Sequence, residues 1–162
     1  MTDKDIIEQF EKTWFYTRQI TTDYLDVIPQ NRWSYTHSIR YSTLDKQFRH
    51  MACVYGVYIE GFKNQAVDFS KKHSHYTGPL DKAAIKADLA KKDEELKVVF
   101  NEMKITGIEN FRLDFFSVNM TWTEYSHLLI QHECMHIGVW SAVADAGGFE
   151  LPDSWKNEWG FK

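Results

Sequence analysis

At 162 residues the chain has the size of a single domain, 1–162, long enough to bury roughly 70% of the surface its unfolded form exposes. A net charge of −4 with scattered Lys and Arg lacks the electrostatic footprint of a nucleic-acid binder. The longest apolar run, Met51 to Ile59, is too short for a bilayer span and the start, Met-Thr-Asp-Lys-Asp, has no signal region, so a cytoplasmic protein with no membrane partner is expected.

The first predicted helix runs from about Asp3 to Ile28, capped by Thr2 and stopped by Pro29, with Ile6, Phe10, Trp14, Thr17, Thr21, Tyr24 and Ile28 along one face. Residues 29–42 read as an ordered connection, with His37 a surface or loop histidine.

A second helix begins at Thr43 as N-cap, with Asp45 in the first turn, where the helix dipole favours a carboxylate. From Phe48 to Phe62 it is apolar nearly all round, so it is expected to be central. His50 stands among these apolar neighbours. A lone buried histidine usually satisfies itself on a backbone carbonyl, but a pair of ligands elsewhere in the chain makes this one a candidate third ligand.

Residues 64–80 are polar and contain His73 and His75, read as solvated loop histidines. A third helix follows from Asp81 to about Met103, with no evident chemistry. Residues 104–120, with Gly107, Phe111, Phe115 and Phe116, form an irregular stretch too long to be an idle loop, expected to cover one end of the protein or include a short strand.

A fourth helix starts at Thr121 or Thr123 and ends near Ala146, before Gly147-Gly148. Within it, His132 and His136 stand four apart and project to one side, about 40° apart around the axis. They fall on a stripe of Tyr125, Leu128, Leu129, Met135, Val139, Val143 and Ala146, which predicts that the pair faces inward. Imidazoles in an apolar stripe cost free energy unless their nitrogens find partners, and one divalent cation satisfies both.

Three imidazoles from His50, His132 and His136 leave a coordination position open, the pattern of a catalytic site. Such donors suit Zn, Ni, Cu or Fe. Cys53 lies three residues after His50 and reads as a second possible ligand or a core residue; Cys134 points away. Two cysteines in helices make no disulfide framework. Glu133 is the candidate catalytic carboxylate, able to orient a ligand or accept a proton, or else is a simple interhelical or surface group.

His132-Glu133-Cys134-Met135-His136 also satisfies the H-E-x-x-H pattern of zinc peptidases. That reading lacks a sheet, and its downstream candidate ligands, Glu150 and Glu158, fall in an aromatic tail with Trp155, Trp159 and Phe161. These aromatics are expected to pack back on the helices or on a second subunit.

Four helices without a strand pattern predict an all-α four-helix bundle with two long connections. Thr43-Leu44-Asp45-Lys46-Gln47-Phe48-Arg49-His50 resembles the capped second helix of the DinB (YfiT-like) superfamily of metal-binding bundles. His132-Glu133-Cys134-Met135-His136-Ile137-Gly138 resembles that family's fourth-helix signature, and Leu151-Pro152-Asp153-Ser154-Trp155 its ending.

The resemblance covers most of the chain and is weakest from about 64 to 120. It implies a divalent transition metal held by His50, His132 and His136, an up-down-down-up bundle with a long irregular connection before the last helix, and frequently a homodimer. Characterised relatives include bacillithiol S-transferases and a mycothiol-dependent maleylpyruvate isomerase. The implied function is therefore a metal-dependent transferase that activates a low-molecular-weight thiol towards a small electrophile. A non-catalytic metal-binding or interaction protein is the alternative from another class.

Overall fold

In the computed structural model, which describes residues 1–160 apart from the side chains of Glu158 and Trp159, the chain is predominantly helical. Helix α1 (Asp3–Val27) opens with a capping box: Thr2 Oγ1 accepts from the Asp5 amide while Asp5 accepts from the Thr2 amide. Its buried face carries Phe10, Trp14, Thr17, Thr21 and Tyr24 as the periodicity predicts, and also Arg18, which apolar periodicity does not mark.

Helix α2 (Leu44–Asn64) has Thr43 at its N-cap position, but the threonine makes no backbone cap bond there; its hydroxyl goes to Asp45, which also accepts from Ser34 at 2.8 Å. Nearly every residue from Met51 to Phe62 is buried, because this helix is covered by its neighbours on most sides. Its connection to the next helix is more structured than its composition suggests: Phe69–His75 forms a 3-10 segment packed on α2. Gly56 permits that approach, since a side chain there would place its Cβ 2.5 Å from the Cβ of His75.

Helix α3 (Lys82–Thr106) is capped by Asp81, whose carboxylate accepts from the Ala84 amide at 2.9 Å, and ends at Gly107 with φ of +81°. It runs about one turn beyond the predicted Met103. The expected irregular stretch then contains a short antiparallel hairpin of β1 (Leu113–Phe115) and β2 (Val118–Met120), with Leu113 opposite Met120 and Phe115 opposite Val118.

Helix α4 (Trp122–Gly147) begins in a second capping box, Thr121 with Glu124, and stops at Gly148 in the left-handed conformation. A short helix, α5 (Asp153–Trp159), ends the described chain. Its Trp155 is fully buried, donates to the Ile20 carbonyl at 3.1 Å and stacks on Tyr24. Phe161 lies outside the described residues.

Each of α1 and α2 packs on both α3 and α4. At one end, Phe10 near the start of α1 meets Phe100 near the end of α3 and Trp122 at the start of α4, while Phe62 near the end of α2 meets Phe100. At the other, Phe48 near the start of α2 stacks on Trp140 of α4 at 4.3 Å, Tyr24 near the end of α1 stacks on the same ring, and Lys82 at the start of α3 donates to the Ile28 carbonyl. The buried apolar residues form one continuous cluster between these ends.

Candidate metal centre

The inward face of α4 only partly matches the predicted stripe: Tyr125, Leu129 and Val143 are buried, but its centre is shifted away from the histidines. Its buried line runs through Tyr125, Leu129, Glu133, Ile137, Trp140 and Val143, whereas Met135 is 58% exposed and Ala146 is exposed. His132 and His136 therefore sit at the margin of the core, half-buried, beside α2. Glu133, about 100° further round, occupies the centre.

His50, early in α2, completes the group. The donor atoms of His50, His132 and His136 all lie within 4.8 Å of one another, and these are the residues among those described that could hold a metal ion. His50 Nε2 and His132 Nε2 are 3.3 Å apart. Two imidazoles bound to one tetrahedral zinc at about 2.0–2.1 Å would place their nitrogens roughly 3.4 Å apart. The ring centroids of His132 and His136 are 4.8 Å apart, and those of His50 and His136 5.2 Å.

A hydrogen bond between His50 and His132 would satisfy one nitrogen of each, but it leaves His136 unexplained. Both His136 ring nitrogens are buried without a hydrogen-bond partner. An orphaned imidazole is costly in the low dielectric of a protein, and a shared cation removes that cost. The residues thus fit a metal ion.

Electrostatics point the same way. Burial, reinforced by the neighbouring histidines, lowers the pKa of His132 to about 3 and that of His136 to about 4; burial, with Lys72 and His73, also lowers that of His50. The shifts keep His132 and His136 unprotonated at neutral pH and favour the neutral form of His50, the form that has a lone pair for coordination.

Glu133 makes its bonds to a different partner set. Its Oε1 accepts from Arg18 Nη1 at 2.6 Å and from the Thr21 hydroxyl, both on α1. Arg18 Nε reaches Asp93 of α3 at 3.2 Å, and the Tyr55 hydroxyl of α2 donates to the same Asp93 oxygen at 2.8 Å. One buried network thus joins all four long helices. Burial alone would lower the Arg18 pKa, but Glu133 and Asp93 outweigh it and raise it. Burial pushes the Asp93 carboxyl up, against the pull of Arg18.

Cys53 is buried with its thiol 3.9 Å from the Tyr76 carbonyl, and Cys134 is exposed; neither joins the histidine group. His75 is fixed against Gly56 and lies 3.6 Å from Glu60, while Glu150 pairs with Lys156 at 2.8 Å. Glu158 has no described side chain.

Three features of the surroundings escaped sequence reasoning. Arg18 follows Trp14 by four residues, so its place on the buried face was legible as a cation in an apolar stripe. Tyr58, whose ring centroid is 5.9 Å from that of His132, stands two turns beyond His50 on the same side of α2. Lys72 comes from a connection whose path no local pattern reveals.

The larger cavities lie elsewhere, one of about 770 Å³ between α4 and the segment leading into α5, another of about 730 Å³ at the α3 C-terminus. The histidines stand instead where α2 and α4 pack together, each partly exposed. Among the described residues, no helix is long and apolar enough to cross a membrane. No protein-family model matches the chain, and no curated protein matches it.

Proposed function

We propose that the chain is a divalent-metal-dependent enzyme of DinB-like type that activates a low-molecular-weight thiol for transfer to a small electrophile. The observation that carries this reading is the convergence of three imidazoles, one with both nitrogens unpartnered, at the partly exposed margin between α2 and α4. Three protein ligands leave room for a further one, and a bound ion there would acidify a thiol or water at that position.

The reading includes a four-helix bundle in up-down-down-up order. In its support, the start of α1 meets the end of α3 and the start of α4, which the end of α2 also meets, while the opposite termini gather at the other end. Zinc, nickel or iron suits an all-imidazole donor set.

The protein's own groups divide the work. His50, His132 and His136 hold the ion, while Tyr58 and Trp140 pack beside His132 and His136 and restrict their rings. Glu133, with Oε1 committed to Arg18 and Thr21, is assigned here to holding α4 in register with α1 rather than to proton transfer. For the same reason the peptidase reading, which requires a free general base, is less well supported.

The test is to load the purified protein with each metal and assay candidate thiols against a reactive aryl halide. Metal-dependent consumption of the electrophile, lost in His50→Ala and His136→Ala, is the expected result. Tight metal binding with no turnover for any thiol would leave the non-catalytic reading and overturn this one.

A further inference from the structure

A chain of aromatic rings adjoins the histidines. Tyr58 lies next to His132 and stacks on Phe115 of β1 at 6.3 Å. Phe115 meets Phe69 of the 3-10 segment edge-on at 5.6 Å and Phe116 at 4.9 Å; Phe69 and Phe116 stack at 5.3 Å with planes 17° apart.

Phe116 is at the hairpin tip and is 75% exposed. It also adopts φ of +47°, followed by Ser117 at +69°, in a two-residue turn that ordinarily selects Asn and Gly. A phenylalanine is thus held in the left-handed region at the edge of the aromatic cluster, with three-quarters of the residue exposed.

The adjoining segment is cationic. Lys72 and His73 lie on the same 3-10 segment as Phe69, and that segment packs on α2, the helix that carries His50 and Tyr58. Lys72 pairs with no carboxylate among the described residues, whereas Lys71 beside it is engaged by Asp68. The Tyr58 hydroxyl makes no hydrogen bond among the described residues and is free to donate one.

We propose that this margin is a subsite for an organic anion carrying an aromatic ring, the ring on Phe115 and Phe116 and the anionic group towards Lys72 and the histidines. The proposal rests on the metal reading above and names the class of small molecule that site takes. Rings on the wall supply stacking and apolar burial, and the lysine supplies charge complementarity. A neutral or purely aliphatic compound uses only part of the site.

The experiment uses the full chain, with metal content determined first, and measures by calorimetry the binding of acetate, 3-phenylpropionate and 3-phenylpropanol. The expected result is 3-phenylpropionate bound about tenfold tighter than acetate and about tenfold tighter than the alcohol, each tenfold step corresponding to about 1.4 kcal/mol. Both informative variants alter surface side chains. Phe116→Ala should reduce the preference over acetate to about twofold, and Lys72→Gln should weaken both acids about threefold while keeping their ratio. Equal binding of the two acids, an unchanged ratio in Phe116→Ala, or alcohol binding equal to acid binding would overturn the subsite. Failure to take up metal would instead overturn the metal reading and the subsite with it.

Discussion

Arg18 of α1 donates to Glu133 of α4 at 2.6 Å with both side chains almost wholly buried, at 3% and 2% exposure. The residue between the two metal-ligand candidates in the His-Glu-x-x-His sequence thus faces the core, away from the histidine cluster. The rotation of α4 places the imidazoles half-buried at the α2 margin and sends the carboxylate to a guanidinium.

That pair makes a first prediction. Removing one partner leaves an uncompensated buried charge, which typically costs about 3–5 kcal/mol. Arg18→Leu should therefore shift the urea midpoint strongly downward. Glu133→Gln should lose stability too, yet retain the wild-type metal stoichiometry and at least a tenth of any turnover. A loss of turnover by several orders of magnitude with the fold intact would restore Glu133 as a proton acceptor.

Metal uptake gives a second. If the ion binds only the folded chain, saturation at 100 times Kd adds about 2.7 kcal/mol of stability. Adding a chelator should lower the thermal midpoint of the wild type and have little effect on His136→Ala. Equal metal content in wild type, His50→Ala and His132→Ala would remove the site altogether.

The third concerns pH in the metal-free protein. His132 and His136 have folded-state pKa values of about 3 and about 4, below the ordinary 6.5 of an unfolded chain. Between these values the unfolded state binds protons that the folded state refuses, so stability is full above pH 6.5 and falls as pH drops towards 4. Denaturant midpoints at pH 7, 6 and 5 should decline in the wild type and decline less in His132→Gln. Identical slopes in the two proteins would contradict the burial of that imidazole.

Gly61 supplies a fourth. A methyl group there would collide with the Tyr125 hydroxyl, which donates to the Tyr58 carbonyl at 3.2 Å. Helix propensity favours alanine by about 1 kcal/mol, but overpacking costs typically 1–3 kcal/mol, so Gly61→Ala should be destabilising or at best neutral. The two effects separate in a double-mutant cycle with Tyr125→Phe, which should show favourable coupling because the nearest clashing atom is gone. Strict additivity would mean that the two residues do not touch.

The helices were legible because their signals are local. Capping at Thr2, Asp81 and Thr121, the breaks at Pro29 and Gly148, and the apolar content of α2 each act within a few residues. The hairpin was less legible, since three-residue strands are too short to display an alternating pattern. The phase of α4 was misread for a different reason: Met135 and Ala146 count as apolar in any stripe but tolerate water, whereas Glu133 is buried only because Arg18 arrives from α1 to meet it.

By itself, then, the sequence determined the helical class and the residue types able to coordinate: two histidines one turn apart on α4, and a third on an apolar helix. Only tertiary structure decided that His50 comes within hydrogen-bonding distance of His132, that His136 is left without a partner, and that Glu133 belongs to the core. The reason is physical. Local preferences act over a turn or two, while the meeting of side chains 82 or 115 residues apart depends on how separate helices rotate to bury their surfaces together.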